Sequence, residues 1–317
     1  MEKGKYRIGI DIGGTNIKFG VINDKNEILF KTSIKSEMEA GFPKVVRNIA
    51  NALHNLLYVN GIPLSDCRSI GIGCPGTVDF IHGKILFANN LYWEDVPLAD
   101  ELRKYVDLPV KLSNDANCAA LGEFVAGGAG GIRNMVMITL GTGVGGGIIL
   151  DGKLYESGAP GGTEMGHMVL VVNGELCTCG RRGCFEAYAS ATALIRETRK
   201  AAESHPDSLI HKLTGGDLDK ISGLTPFEAA KAGDPVAKKV VEDYIMYLGE
   251  GLIDIINVFR PDKILLSGGV SNQGEALIKP LREYVKRFTY AGNKIKIAEI
   301  EQAKLGNDAG IIGAANL

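Results

Sequence analysis

A strand, a glycine turn and a second strand follow one another twice in this chain, and that repeat constrains the fold more than any other feature. Tyr6 to Ile12 (YRIGIDI) reads as a strand, Gly13-Gly14 as a turn, and Asn16 to Ile22 (NIKFGVI) as a second strand. Asn134 to Leu140, Gly141-Thr142-Gly143 and Gly145 to Leu150 repeat that order, with Asp151-Gly152 closing a further hairpin turn. Two α/β domains of related architecture account for the repeat, and 317 residues is the length expected of two domains. Around the first unit, Glu27 to Ile34 reads as a third strand and Ser69 to Cys74 as a buried one. Between them Val45, Val46, Ile49, Leu53, Leu56 and Leu57 mark a helix over Phe42 to Val59. Later come a long helix from about Pro235 to Phe259, an apolar strand at Lys263 to Ser267 and a terminal helix at Asn307 to Ala315. This is a mixed α/β chain, neither a sandwich nor a bundle.

Glycine is over-used: 42 residues, about 13% against a usual ~7%. The glycines cluster in loops without a Gly-X-Y period, so collagen is excluded and handling of a ligand by main-chain groups is suggested. With 35 Lys+Arg against 37 Asp+Glu, the net charge of -2 argues against a dedicated nucleic-acid binder. No apolar run approaches the ~20 residues of a membrane span. Met1 to Lys5 leads straight into a strand with no apolar leader, so the expectation is a cytoplasmic chain with reduced thiols. Cys67, Cys74 and Cys118 then read as ordinary buried thiols.

The turn Asp11-Ile12-Gly13-Gly14-Thr15 offers bare N–H groups, a hydroxyl and a carboxylate able to hold Mg²⁺ through water, a set that suits a nucleotide's phosphates. By itself it reads first as a simple hairpin with a polar turn. Thr139 to Gly147 contains a formal G-x-G-x-x-G. The segment after it, Ile148-Ile149-Leu150, is strand-like where the dinucleotide fingerprint needs a helix, so a second turn of the Asp11 kind fits better. No G-x-x-x-x-G-K-[ST] occurs. Gly268-Gly269 follows a strand and precedes a helix, either as a bed for a flat base or as a close helix–strand turn.

Asn114-Asp115 stands between a short strand (Val110 to Leu112) and a helix (Ala116 to Val125), at the strand end where open α/β sheets place ligands. Asp115 reads as a general base for a sugar hydroxyl, or the pair as a helix N-cap. Cys177, Cys179 and Cys184 are spaced C-x-C-x₄-C, with His167 ten residues upstream. Three thiolates and one imidazole make a closed, structural Zn²⁺ site. Glu164 and Glu186 lie on the segments such a metal would join, placed for vicinal hydroxyls of a sugar; singly, each also reads as a solvated surface carboxylate.

Asp11-Ile12-Gly13-Gly14-Thr15, Asn114-Asp115, Glu164-x-Gly166-His167 and the C-x-C-G-x-x-G-C-x-E run from Cys177 to Glu186 together resemble the ROK family of bacterial sugar kinases and sugar-responsive repressors, over residues 6 to about 315. The resemblance implies a two-domain actin-like ATPase (ribonuclease H-like) fold with a cleft between the domains. A smaller domain is expected over 1–117 plus about 300–317, and a larger one over 118–299 with the zinc loop 167–184. It implies an ATP-dependent glucokinase with Asp115 as base, glucose held by Asn90, Asn114, Asp115, Glu164, His167 and Glu186, and zinc held by His167, Cys177, Cys179 and Cys184. ATP with Mg²⁺ is implied at Asp11, Gly13, Gly14, Thr15, Gly141, Thr142, Gly143, Gly268 and Gly269. A homodimer without nucleic-acid or membrane partners is the expected assembly. N-acetylmannosamine, fructose or allose as substrate, and polyphosphate as donor, stay open. Family repressors carry an N-terminal helix-turn-helix domain, and five residues before the first strand are too few for one, so a kinase is expected.

Overall fold

The computed structural model of the protein describes residues 4–317, and the opening Met1-Glu2-Lys3, read above as lacking a leader, lie outside them. The chain forms two compact units. The first holds the chain up to Arg133 with Gly147–Thr163 and Lys304–Leu317, and the second holds Asn134–Gly146 and Glu164–Ala303.

In the first unit, β1 (Tyr6–Ile12), β2 (Asn16–Ile22) and β3 (Ile28–Lys35) form an antiparallel meander. α1 (Phe42–Val59) follows, then β4 (Cys67–Cys74). α1 starts on Gly41 with Pro43 in its first turn, and it buries Val45, Val46, Ile49, Leu53, Leu56 and Leu57, the stripe expected from their spacing. A small antiparallel sheet follows: β5 (Thr77–Asp79), β6 (Lys84–Ala88) and β7 (Trp93–Val96). Then come α2 (Leu98–Arg103), β8 (Val110–Asn114) and α3 (Asp115–Ala126). The main sheet is ordered β3-β2-β1-β4-β8, with β4 and β8 parallel to β1.

The second unit opens with β9 (Met135–Leu140) and β10 (Val144–Leu150), and the end of β10 pairs with β11 (Lys153–Leu154) within the first unit. Its helices are α4 (Glu186–Ala189), α5 (Ala191–Ser204), α6 (Leu209–Leu213), α7 (Thr225–Lys231) and α8 (Pro235–Phe259). β12 (Lys263–Ser267), α9 (Glu275–Phe288) and β13 (Glu299–Gln302) complete it. The order β10-β9-β12-β13, with β12 parallel to β9 and to β13, repeats the order β2-β1-β4-β8. The strand–turn–strand repeat in the sequence thus marks a repeat of sheet topology. The chain ends on α10 (Ala309–Ala315), back in the first unit, preceded by a 3₁₀ turn at Gly306–Asp308.

Part of the glycine excess serves α10. A Cβ on Gly9 would stand 1.9 Å from the Ile311 carbonyl oxygen, one on Gly71 1.7 Å from that of Ala314, and one on Gly313 1.6 Å from that of Cys118. These glycines let α10 lie backbone to backbone on β1, β4 and α3, a close approach that any side chain would block. Among the described residues no helix is long and apolar enough to cross a membrane.

Candidate active site

The first unit gathers its functional side chains at the carboxyl ends of β1, β4 and β8. Asp11, Gly73 and Ser113 share one row of the sheet, so the β1 and β8 ends stand two strand spacings, about 10 Å, apart. Asn114 is the N-cap of α3. Its Oδ1 accepts the N–H groups of Ala116 (2.9 Å) and Asn117 (3.4 Å), and its Nδ2 donates to the Gly76 carbonyl at 3.2 Å. The capping reading therefore holds for Asn114. Asp115, the next residue, is the first of the helix, where the α3 dipole favours negative charge, and its Oδ1 accepts the Ala116 N–H at 2.9 Å.

Asp11 lies directly across from Lys18 on β2, and the Lys18 ammonium meets its Oδ2 at 3.3 Å. Asp11 and Asp115 bear on the same two thiols. Burial pushes Cys74 and Cys118 well above the ordinary thiol range, and the Asp115 and Asp11 carboxylates push them further. Two carboxylates thus flank the end of β4, a donor set that fits a hard cation held through water and phosphate oxygens. Cys67, Cys74 and Cys118 are all buried free thiols, as expected.

The turn at Gly13-Gly14 is held by its carbonyls. The Ser36 hydroxyl donates to the Gly13 oxygen at 2.6 Å and the Ser36 N–H donates to the Thr15 oxygen at 3.1 Å. The Gly14 and Thr15 N–H groups have no partner among the described residues. Neither glycine has positive φ. Asn90, on the 3₁₀ turn Asn89–Leu91, brings its carbonyl to 3.8 Å from where a Gly14 Cβ would be.

In the second unit His167, Cys177, Cys179 and Cys184 come together, their ligand atoms all within 4.8 Å of one another. His167 Nδ1 lies 3.7 Å from Cys177 Sγ, and the Cys179 and Cys184 sulfurs are also 3.7 Å apart. Those spacings match the edge of a tetrahedron about a metal with bonds of about 2.0–2.3 Å. They are far too long for a disulfide, and all three cysteines are free thiols. Nδ1 faces the cluster, which leaves Nε2 of His167 on its other side. Glu164 precedes the 3₁₀ turn Met165–His167 and is exposed.

Glu186 sits at the first position of α4. Its Oε1 accepts the Thr178 hydroxyl at 2.9 Å and its Oε2 accepts the Val144 N–H at 3.0 Å. One carboxylate therefore joins the loop that bears the cysteine cluster to the turn between β9 and β10. That turn, Gly141-Thr142-Gly143, is also tied by its carbonyls: the Ala191 N–H donates to Gly141 and the Thr192 hydroxyl to Thr142, both at 2.8 Å. The N–H groups of Thr142 and Gly143 have no partner among the described residues. Ser267 pairs with Thr139, so Gly268-Gly269 leaves the sheet at the same end. Gly268 has φ +87°, and a Cβ there would lie 2.5 Å from the Leu140 oxygen. The element after it is a 3₁₀ turn, Gly269–Gln273, and α9 starts only at Glu275.

Sequence reasoning passed over four residues that the structure places here: Lys18, Ser36, Thr178 and Thr192. Only Lys18 left a readable signal, because a hairpin turning at Gly13-Gly14 sets it opposite Asp11.

Two units of matching strand order, each with an amide-presenting turn between its first two strands, define the actin-like ATPase fold. Residues 7–317 match the ROK family, and the chain belongs to it. A glucokinase of Halalkalibacterium halodurans is 38% identical over 98% of this chain and 93% of its own length. The crystal structure of a ROK family glucokinase from Streptomyces griseus in complex with glucose and AMPPNP matches with a TM-score of 0.80 at 37% identity, covering 98% of both chains. The xylose repressor of Bacillus subtilis is 29% identical over 100% of this chain and 77% of its own length.

Proposed function

We propose that this chain is an ATP-dependent glucokinase that makes glucose 6-phosphate. The observation carrying the reading is the near full-length likeness to glucokinases, 38% in sequence and TM-score 0.80 to a glucokinase bound to glucose and AMPPNP. The likeness to the xylose repressor is more distant, at 29%.

In this reading Asp115 accepts the proton of the sugar's 6-hydroxyl as that oxygen bonds to the terminal phosphorus and the bond to the diphosphate breaks. Asn90, Asn114, Glu164, His167 through Nε2, and Glu186 bind the sugar's hydroxyls. Asn114 retains one Nδ2 hydrogen beyond the one given to Gly76. The N–H groups around Gly13, Gly14, Thr15, Gly141, Thr142 and Gly143 steady the phosphates, and Gly268-Gly269 receives the base. Asp11 holds Mg²⁺ through water, and the ion, when bound, neutralises phosphate charge. His167, Cys177, Cys179 and Cys184 hold a structural Zn²⁺ that fixes the loop bearing Thr178 and, through it, Glu186. The chain acts in the cytoplasm as a homodimer without a nucleic-acid partner.

The test is kcat/KM with ATP across glucose, mannose, N-acetylmannosamine and fructose. Glucose is expected to lead. A preference for the N-acetylated sugar would overturn the substrate assignment, and tight specific DNA binding in a gel shift at physiological salt would overturn the class.

A further inference from the structure

We propose that Ser36 and Thr192 are positioning residues for nucleotide binding. Each uses its hydroxyl to lock one peptide plane of a glycine turn so that the N–H on the opposite edge faces the phosphates. The inference rests on the reading of these turns as phosphate-binding.

A trans peptide is planar, and its C=O and N–H point in opposite directions. Whatever fixes the carbonyl of residue i also fixes the N–H of residue i+1. In the first unit the Ser36 hydroxyl holds the Gly13 carbonyl at 2.6 Å, which sets the Gly14 N–H. In the second the Thr192 hydroxyl holds the Thr142 carbonyl at 2.8 Å, which sets the Gly143 N–H. The Ala191 N–H does the same through the Gly141 carbonyl for the N–H of Thr142. None of these three N–H groups has a partner among the described residues. All are held by the far edge of their own peptide, and their N–H edge carries no bond within the described residues.

The lock matters because both planes run into glycine. A peptide flip exchanges N–H for C=O at a turn by moving the following residue to positive φ, a change that glycine makes at little cost. A flipped plane would present a carbonyl oxygen to a phosphate, which repels where the amide attracts. Gly14 and Gly143 both lack positive φ here, so the unflipped state is the one held. The two turns reach that state from different sequence contexts: Ser36 just after β3, Thr192 at the start of α5. Ser36 is buried and Thr192 is exposed, so the Ser36 lock is shielded from competing water and its loss has the larger effect.

The experiment is titration calorimetry of the full chain with AMPPNP and, separately, with adenosine, on wild type, Ser36→Ala, Thr192→Val and Thr192→Ser. Ser36→Ala and Thr192→Val are each expected to weaken AMPPNP binding about threefold to tenfold, the worth of one hydrogen bond. Adenosine binding should not change, and Thr192→Ser should restore the wild-type value. Unchanged AMPPNP affinity in both variants would overturn the proposal. So would an equal loss for adenosine, which marks general damage to the fold, or wild type that does not bind AMPPNP at all. Wild type that binds AMPPNP yet does not phosphorylate glucose would instead refute the sugar assignment and leave the turns' role standing.

Discussion

The Glu186 carboxylate accepts the backbone N–H of Val144 at 3.0 Å, directly beside Gly143. A Cβ on Gly143 would lie 2.2 Å from Glu186 Oε2. Gly143→Ala is therefore expected to push Glu186 off both Val144 and Thr178. Hydrogen bonds to a charged group are worth about 1.5–3 kcal/mol, so kcat/KM for glucose should fall about tenfold or more while the protein stays folded. Steady-state kinetics beside a thermal melt reads both. An unchanged KM for glucose would separate Glu186 from the sugar.

Asp115 stands at the head of α3, and its neighbour Asn114 carries the cap. In the proposed mechanism, replacing Asp115 removes the proton acceptor without removing the cap. Asp115→Asn should lose kcat by about 10²-fold or more, with Tm held near wild type. Single-turnover kinetics with saturating glucose and ATP is the direct measurement, and turnover near the wild-type rate would move the base elsewhere.

Cys179 is the exposed member of the four-residue cluster, so its replacement costs little in packing. Wild type is expected to carry one zinc ion per chain by elemental analysis, and Cys179→Ser should leave the purified protein short of it. Metal binding of this kind is folding energy, several kcal/mol of it, so Tm should drop on the order of ten degrees. A chelator should produce the same shift in wild type. Full stability without the metal would mean that the loop stands on the Glu186 and Thr178 bonds alone.

The helices α1 and α8 were legible because each has a long apolar stripe and a proline in its first turn. The glycine turns and the metal cluster were legible because short-range spacing carries their chemistry. The sheet β5–β7 was not read: its strands are three to five residues long, too short for alternation to show. The positioning residues were hidden for a different reason. Ser36 acts on Gly13 and Thr192 on Thr142, across 23 and 50 residues of chain, and a lone hydroxyl has no pattern before the fold brings it to its carbonyl. The glycine excess had a second cause as well, the bare contact of α10 with β1, β4 and α3, which concerns packing and not ligands.

Asp234 shows the same long-range dependence and gives a prediction in pH. It caps α8 through Oδ1, which accepts the N–H groups of Val236 (2.7 Å) and Ala237 (3.1 Å). Its Oδ2 accepts the Ser208 hydroxyl at 2.6 Å and the Leu209 N–H. Burial acts to raise its pKa, but the bonds from Ser208, Ala237, Leu209 and Val236 together outweigh burial and hold it below the ordinary 3.8. A carboxyl depressed on folding stabilises the native state above its unfolded value, and that contribution is lost as the pH falls through the folded value. Asp234→Asn keeps the cap but turns an amide donor toward Ser208 and Leu209. At pH 7 it should cost about 1–3 kcal/mol in urea unfolding. The gap to wild type should stay constant down to about pH 4 and narrow below it, as wild type loses its own charge. A gap that stays the same width at pH 3 would show that the loss comes from shape and not from the ionised carboxylate.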